Sequence, residues 1–269
     1  MSREKNKKNP NISVIITTRE TPFMVLKRCI QCIQSQTLEN IEIILLDANE
    51  KGNSFQQAIS SEGELLRDIT YVYYPEAGEM VHGKNMALEK ATGDYITIIS
   101  AQDMMPETRL ETVLQAFKDN PRQNIYYTGM TLQVDNTMEN NHYTLPTGTY
   151  RYLAQAVFHQ SVFSMVGNFD ENMLCLCDEE LWMRISSIDT PGCIMDEEAA
   201  ISICQEAYEN HTSLNAAIAY RQMLIKSTKY FQKHKAHRRI IYQKIAENYK
   251  EAHVILRYLQ FRWKTLFGK

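Results

Sequence analysis

The sequence lacks any long hydrophobic run. Across its 269 residues, no segment approaches the roughly 20 consecutive apolar residues that a membrane-spanning helix needs. The first ten residues, MSREKNKKNP, are polar and charged, and no apolar stretch follows them, so they do not resemble a secretory signal. We therefore expect a cytoplasmic protein with no segment that crosses a membrane.

Two common nucleotide-binding motifs are also missing. The sequence contains neither G-x-G-x-x-G nor G-x-x-x-x-G-K-[ST], so it does not indicate a dinucleotide-binding or P-loop protein. Of the six cysteines, Cys29 and Cys32 lie inside a predicted helix, and Cys175 and Cys177 are not flanked by turn residues. A redox cysteine pair should lie where a helix begins, and a zinc site needs four ligands in paired loops. We interpret these cysteines as reduced packing residues.

Charge is unevenly distributed along a chain of otherwise ordinary composition. Hydrophobic residues make up 44% and charged residues 23%, which is typical of globular domains. The net charge is only −3, but residues 221–269 hold 13 Lys and Arg against two acidic residues, a charge of +11. Residues 1–220 then carry −14. Such a basic segment predicts an anionic partner, either a membrane surface or nucleic acid.

The first half of the chain alternates between apolar runs and amphipathic segments. The runs predict strands, and the amphipathic segments predict helices, one after each strand. Strands are predicted at 12–16, 41–46, 69–74 and 95–99, and helices at 23–33, 54–66, 80–91 and 106–117. Apolar strands separated by helices are typical of a doubly wound α/β fold, a mostly parallel sheet with helices on both faces. After Ser213 the pattern is helical to the end.

Ligands of such sheets bind outside the carboxyl ends of the strands. Polar residues just after each predicted strand are therefore candidates for a functional site. Four segments qualify, at 17–20, 47–49, 76–79 and 100–103.

Four blocks of the sequence resemble family 2 glycosyltransferases, in the order that the family has them. The first is residues 12–50, a strand, a polar turn, a helix ending in Q-T and a strand ending in Asp. The other three are GKNMALEKATGDYITIISAQD, the segment AVFHQSVFSMVGNFDENMLCLCDEELWMRI, and NHTSLN ending at Asn215. The resemblance implies a GT-A glycosyltransferase domain over residues 1–215, followed by a basic, helical C-terminal extension over residues 216–269.

The implied reaction moves a sugar from a nucleotide-sugar donor to an acceptor hydroxyl with inversion. Family relatives most often do this in cell-surface polysaccharide or lipid-linked glycan assembly. One base must deprotonate the acceptor, and positive charge must hold the departing diphosphate. A catalytically degenerate, non-enzymatic relative that keeps the fold is the alternative.

The base implied by the resemblance is Asp178, which falls on the family's acidic position before L-W-x-R. A helix N-cap is the alternative role for this residue. Glu179 and Glu180 follow it directly and are the other candidates for the base. The resemblance places Glu179 and Trp182 on the acceptor side.

Donor-binding residues also carry over from the family's motifs, at Thr17, Arg19, Asp47, Lys84, Asn85, Gln102 and Asp103. Lys84 would place a positive charge near the diphosphate, although an exposed helix lysine is the plainer interpretation. The resemblance implies a UDP-, GDP- or TDP-sugar as the donor. It does not select the nucleobase, because Ala48 replaces an Asp that often follows Asp47 in relatives.

The family's metal motif, D-x-D, is replaced here by Ser100-Ala101-Gln102, with Asp103 directly after it. In relatives those carboxylates hold Mg²⁺ or Mn²⁺ against the diphosphate. Asp103 and His211 are the candidate ligands that remain. A metal-free site, in which Lys84 and Arg19 stabilise the diphosphate, is the alternative.

The end of the chain predicts an amphipathic helix. Its apolar residues recur at helical spacing, at Leu256, Leu259, Trp263, Leu266 and Phe267. Aromatic residues beside Lys and Arg suit an anionic membrane surface, so residues 254–269 predict peripheral attachment to the inner face of a membrane. Packing on the body or on a second subunit is the alternative. No nucleic-acid-binding module is present, so nucleic acid is not an expected partner.

Overall fold

In the computed structural model of the protein, ten strands and ten α-helices are described. The described residues are 11–51, 54–61, 63–75, 80–133, 143–144, 152–188, 191–194, 196, 199–204 and 212–267. The strands are β1 (Ile12–Thr18), β2 (Ile41–Asp47), β3 (Ile69–Tyr73), β4 (Tyr95–Ser100), β5 (Ile125–Thr128), β6 (Met130–Gln133), β7 (Tyr143–Thr144), β8 (Ala156–His159), β9 (Gly192–Ile194) and β10 (Ile201–Cys204). The helices are α1 (Phe23–Gln34), α2 (Ser54–Ser61), α3 (Val81–Lys90), α4 (Arg109–Asp119), α5 (Ser161–Val166), α6 (Cys177–Ser186), α7 (Ser213–Lys226), α8 (Thr228–Lys233), α9 (Lys235–Glu251) and α10 (Ile255–Phe267).

The main sheet has seven strands in the order β3-β2-β1-β4-β8-β5-β9. The first four strands are parallel, β8 is antiparallel to β4 and to β5, and β9 is parallel to β5. A second sheet has the order β10-β6-β7. The predicted α/β class is confirmed, with a sheet that is parallel in its first half and mixed in its second.

Alternation along the central strands builds a core on each face of this sheet. Ile15 of β1 and Ile44 of β2 belong to one apolar cluster, whereas Val14 and Leu45, their neighbours in sequence, belong to another. Successive side chains of a strand point to opposite faces, so two buried layers need a run that is apolar throughout. This explains why these strands read as continuous apolar runs.

Two predicted helices differ from the observed ones at an end. The second ends at Ser61 rather than at residue 66, and residues 63–68 are turn rather than helix. The fourth begins at Arg109, although Pro106 predicted an earlier start. The carbonyl of Pro106 accepts bonds from the Gln36 amide and the Arg109 N–H, so Pro106 belongs to the turn before the helix.

The C-terminal extension shares the core of the body. Trp182 of α6, Met223 of α7, Ile245 of α9 and Phe261 of α10 all belong to the cluster that also contains Ile15. The predicted boundary after residue 215 falls inside α7. A single core thus runs from the sheet into the C-terminal helices.

The last helix has one buried face and one exposed apolar face. Phe261 and Thr265 are buried, whereas five large apolar side chains are exposed, Leu256 at 83% and Trp263 at 62%, together with Ile255, Leu259 and Leu266. These side chains keep more than half of their surface exposed and are not packed as ordinary core; the side chain of Phe267 lies outside the described part. Within that part, no helix combines the length and apolarity needed to cross a membrane.

Candidate active site

Asp47 joins the carboxyl end of β2 to the turn that follows it and to β3. Its Oδ1 accepts bonds from the backbone N–H of Asn49, at 2.9 Å, and from the Asn49 side-chain amide, at 2.7 Å. Its Oδ2 accepts the Tyr71 hydroxyl of β3. Burial, followed by this bond to Asp47, raises the pKa of Tyr71 well above its ordinary value. Asp47 is fully buried and both of its oxygens accept hydrogen bonds, so it holds this edge of the sheet together; its contact with a donor stays a prediction.

Thr17 and Arg19 lie at the neighbouring end of β1. The Thr17 hydroxyl donates to the carbonyl of Ile99 in β4, at 3.1 Å, and the residue is buried. The Arg19 side chain is 23% exposed, and its guanidinium lies 3.8 Å from the carboxylate of Glu20. Of these two predicted donor residues, Arg19 presents more surface at the sheet edge.

Asp103 closes the turn after β4. It is fully buried, and its Oδ2 accepts the Ser100 N–H at 2.7 Å. It also offsets the charge of Arg109, a fully buried guanidinium whose pKa burial lowers to about 10 despite the opposing effect of Asp103. The Asp103 side chain faces the interior, and its contact with the donor stays a prediction. Gln102 is half-buried at the same turn.

The first turn of α3 brings Lys84 and Asn85 to the same edge of the sheet. A Cβ on Gly83 would lie 2.7 Å from a methyl group of Leu46, so glycine permits this close approach to β2. Asn85 bonds the backbone of Phe169 in both directions, at 3.0 and 3.1 Å, and donates to Glu171 at 2.9 Å. Asn85 thereby joins α3 to the loop before α6, which is a positioning role.

Asp178 meets Lys84 across this edge. The Lys84 ammonium donates to Asp178 Oδ1 at 2.8 Å, with side-chain exposures of 9% for the lysine and 18% for the carboxylate. The N-cap position of α6 is Leu176, with no side-chain cap bond, so Asp178 is not the helix cap. The interpretation of Lys84 as an exposed helix lysine is also wrong. Two predicted site residues, 94 positions apart, form one contact.

The two acidic residues after Asp178 have different surroundings. Glu180 is buried and holds Arg184 through both oxygens, at 2.7 to 2.9 Å, while the guanidinium donates to three carbonyls at residues 166–168. This clamp rules Glu180 out as a free base. Glu179 is half-buried and lies near Lys244 of α9. Burial lowers the pKa of Lys244 below its ordinary value, and the charge of Glu179 offsets part of this effect.

Trp182 packs in the core behind the sheet edge. It is fully buried, and its ring lies 5.6 Å from that of Phe158 in β8. The helix that presents Asp178 at the sheet edge turns Trp182 into the core, and the predicted role of Trp182 on the acceptor side stays a prediction. The L-W-x-R motif therefore holds α6 in place.

The residues at the D-x-D position do not fit a divalent ion. Mg²⁺ and Mn²⁺ bind diphosphates with the help of carboxylates, whereas Ser100 and Gln102 are neutral and Asp103 is enclosed. Throughout the part of the chain that the structure describes, no three His, Cys, Asp or Glu side chains form a group that could hold a metal ion. His211, the other predicted ligand, lies outside that part.

Two residues near the site were not predicted. His82 lies at the start of α3, and its Nε2 is 3.2 Å from Glu171, with both side chains nearly half exposed. Glu171 ends the G-x-F-D-E segment, and no role was predicted for it. Both His82 and Glu171 lie in or next to the quoted motifs, which was the available signal. Their contact with each other depends on the fold.

Of the cysteines whose side chains the structure describes, Cys193 is exposed and the others are buried or partly buried. Cys29, Cys175 and Cys177 are buried, and none forms a disulfide. The Cys32 thiol donates to the carbonyl of Met105 at 3.0 Å, and burial raises its pKa.

Known proteins are similar to this chain over more than half of its length, in a stretch that ends before Asp178. The model of glycosyl transferase family 2 matches residues 13–169. Glycosyltransferase GlyG of Streptococcus pneumoniae is 31% identical over 110 residues, which cover 40% of this chain and 35% of GlyG. A GalNAc(5)-diNAcBac-PP-undecaprenol β-1,3-glucosyltransferase of Campylobacter jejuni is 26% identical over 39% of this chain and 34% of its own length. The matches thus span about a third of these curated relatives.

Solved structures share the fold. S. aureus TarS 1–349, in complex with UDP-GlcNAc, has a TM-score of 0.64 at 13% identity, covering 96% of this chain and 76% of that one. The mannosyltransferase PcManGT of Pyrobaculum calidifontis, in complex with GDP-Man and Mn²⁺, has a TM-score of 0.62 at 15% identity, covering 97% and 77%. The GT-A-type fold expected from the sequence is confirmed, and the chain belongs to glycosyl transferase family 2.

Proposed function

We propose that the protein transfers a sugar from a nucleoside-diphosphate sugar to an acceptor hydroxyl with inversion, and that Asp178 is the general base. The observation that carries this assignment is the Lys84–Asp178 contact at the carboxyl edge of the sheet. Of three consecutive acidic residues, Asp178 faces this edge, whereas Glu180 is engaged by Arg184. A single base is sufficient because a direct displacement forms no glycosyl-enzyme intermediate.

In this reaction the acceptor oxygen attacks the anomeric carbon while Asp178 takes the hydroxyl proton. The bond to the diphosphate breaks on the opposite side, and negative charge develops on the leaving group. Cationic side chains that are already in place stabilise such charge. We assign this role to Lys84 and Arg19, because the D-x-D carboxylates are replaced. The donor site would be completed by Thr17 and Gln102.

Calorimetry with UDP, GDP and TDP, each with Mn²⁺ and with EDTA, tests the donor site. We expect one nucleotide to bind with nearly the same affinity in both conditions. Strong binding only with Mn²⁺ would contradict the metal-free site and favour ligation through His211. Donor binding without turnover of the matching nucleotide-sugar would favour the non-enzymatic alternative.

We further propose that the acceptor is a glycan carried on a lipid and that the protein works at an anionic membrane surface. The Campylobacter relative is named for a substrate linked through PP-undecaprenol. In this chain, α10 exposes Leu256, Leu259 and Trp263 beside the basic residues Arg257 and Arg262. An apolar face flanked by basic residues suits the boundary between headgroups and acyl chains.

A further inference from the structure

The Lys84–Asp178 pair joins the two halves of the proposed reaction. Lys84 belongs to the donor-side motif on α3, and Asp178 belongs to the acceptor-side motif on α6. The ammonium lies 2.8 Å from the carboxylate and 5.2 Å from the ring centroid of Phe169. Both side chains are largely shielded from water, so the attraction is stronger than that of a surface pair.

We infer that Lys84 is a donor-sensitive lock on the base: it pairs with Asp178 when no donor is bound and turns to the diphosphate when the donor arrives. This inference rests on the proposed function, and it adds a coupling between the two substrates. A carboxylate beside an ammonium is a weaker proton acceptor than one without such a neighbour. Asp178 would therefore become an effective base only after the donor has drawn the charge of Lys84 away.

In this exchange the Lys84 ammonium changes its anionic partner. A nucleoside diphosphate carries more negative charge than a carboxylate and competes for the same ammonium. Asn85 meanwhile ties α3 to Phe169 and Glu171, which keeps the two backbone segments together. Lys84 stays protonated throughout, the acceptor proton goes to Asp178, and the electron pair of the broken bond leaves with the diphosphate.

The coupling has a useful chemical consequence. A base that is weak until the donor is bound and its diphosphate engaged favours ordered substrate use. The linkage is reciprocal, so the charge on Asp178 must weaken diphosphate binding by holding Lys84 back. This reciprocal effect can be measured without knowing the acceptor.

The test is a double-mutant cycle read out by nucleotide affinity. We would measure the dissociation constant of the best-binding diphosphate among UDP, GDP and TDP for wild type, Asp178→Asn, Lys84→Met and the double variant. Asp178→Asn should bind the diphosphate about 3- to 30-fold more tightly than wild type, and Lys84→Met should bind it more weakly. In the Lys84→Met background, the Asn substitution should change nothing.

Controls separate the lock from other effects. The nucleoside without phosphates should bind wild type and Asp178→Asn alike, and Asp178→Ser should reproduce the gain if one variant folds poorly. Glu179→Gln removes a nearby charge that does not pair with Lys84, so any gain it gives should persist in the Lys84→Met background. Unchanged or weaker diphosphate binding by both Asp178 variants would overturn the lock, as would a gain that persists without Lys84. No binding by wild type would instead refute the proposed donor site.

Discussion

At the scale of single residues, the identity of the base has a direct test. We expect Asp178→Asn to slow nucleoside diphosphate release from the matching nucleotide-sugar about 10²–10⁴-fold, since an amide keeps the shape but cannot accept a proton. Glu179→Gln, one position along the same helical turn, should slow it less than about tenfold. A residual rate above a tenth of wild type in Asp178→Asn would exclude Asp178 as the base.

Asp103 illustrates what a motif cannot show. Its position beside a replaced D-x-D motif predicted a metal or donor ligand, yet it faces inward to the Ser100 N–H and the charge of Arg109. The sequence places an acidic residue at a strand end, but the direction of its side chain depends on a buried arginine that begins the next helix. Asp47 is similar, because its partner Tyr71 comes from a strand that only the fold brings alongside.

We expect Asp103→Asn to destabilise the fold by about 2–4 kcal/mol, because Arg109 would lose the negative charge beside it in a buried site. Any change in nucleotide affinity should be the same in Mn²⁺ and in EDTA. Urea unfolding and calorimetry measure these two quantities, with Glu107→Gln on the exposed surface nearby as the matched control. A loss of affinity that appears only with Mn²⁺ would instead make Asp103 a metal ligand.

At the scale of elements, hydrophobic patterning predicted most of the first half of the fold. The strands β1, β2, β3 and β4 were predicted to within two residues at each end, since two buried faces require continuous apolar runs. The mixed half was harder to predict. The strands β5, β8 and β9 have only three or four residues each, too few for a clear period, and their pairing depends on contacts distant in sequence.

The clamp of α6 provides a prediction at this scale. Arg184 links Glu180 to carbonyls at the C-terminal end of α5, so it fixes the helix that carries Asp178. We expect Arg184→Met to lower the free energy of unfolding by about 2–4 kcal/mol, because Glu180 would be left buried without its partner. Arg257→Met on the exposed surface of α10 is the control and should change it by less than about 0.5 kcal/mol.

Equal stabilities of the two arginine variants would show that the clamp contributes little. A double variant, Glu180→Met with Arg184→Met, should recover part of the loss because it removes the unpaired buried charge together with its partner. No recovery would indicate that the bonds to the carbonyls at residues 166–168 matter more than the ion pair.

At the scale of the whole molecule, the acidic body and the basic extension are joined by a charge pair. Lys226 of α7 donates to Asp170 in the loop before α6. Burial raises the pKa of Asp170, but the bonds from Lys226 and Asn172 outweigh it and hold the pKa below its ordinary value. A depressed carboxyl pKa adds stability above about pH 4, and this contribution is lost as the pH falls through the folded-state value.

Asp170→Asn should therefore cost on the order of 1 kcal/mol at pH 7 and progressively less toward pH 3. Urea unfolding over this pH range measures the difference from wild type, and the exposed Asp68→Asn is the control. A cost that stays constant with pH would mean that the amide disturbs packing rather than the charge pair.

The uneven charge of the molecule also sets its orientation at a membrane. An anionic surface would repel residues 1–220, which carry −14, and attract residues 221–269, which carry +11. Contacts that depend on charge alone are screened strongly at 1 M salt, where the Debye length is about 3 Å. Insertion of the exposed apolar side chains of α10 would add a contribution that resists salt.

We expect the protein to co-sediment with vesicles that contain anionic lipid, to bind more weakly but still measurably at 1 M salt, and to bind neutral vesicles poorly. Replacing Leu256, Leu259 and Trp263 together by Ser should remove the salt-resistant part, and because all three are exposed, the fold should be preserved. Met24→Ser, at an exposed position outside the extension, is the control. If the triple variant sediments like wild type, α10 is not the membrane contact; if it changes only the molar mass in light scattering, this face binds a second copy of the chain.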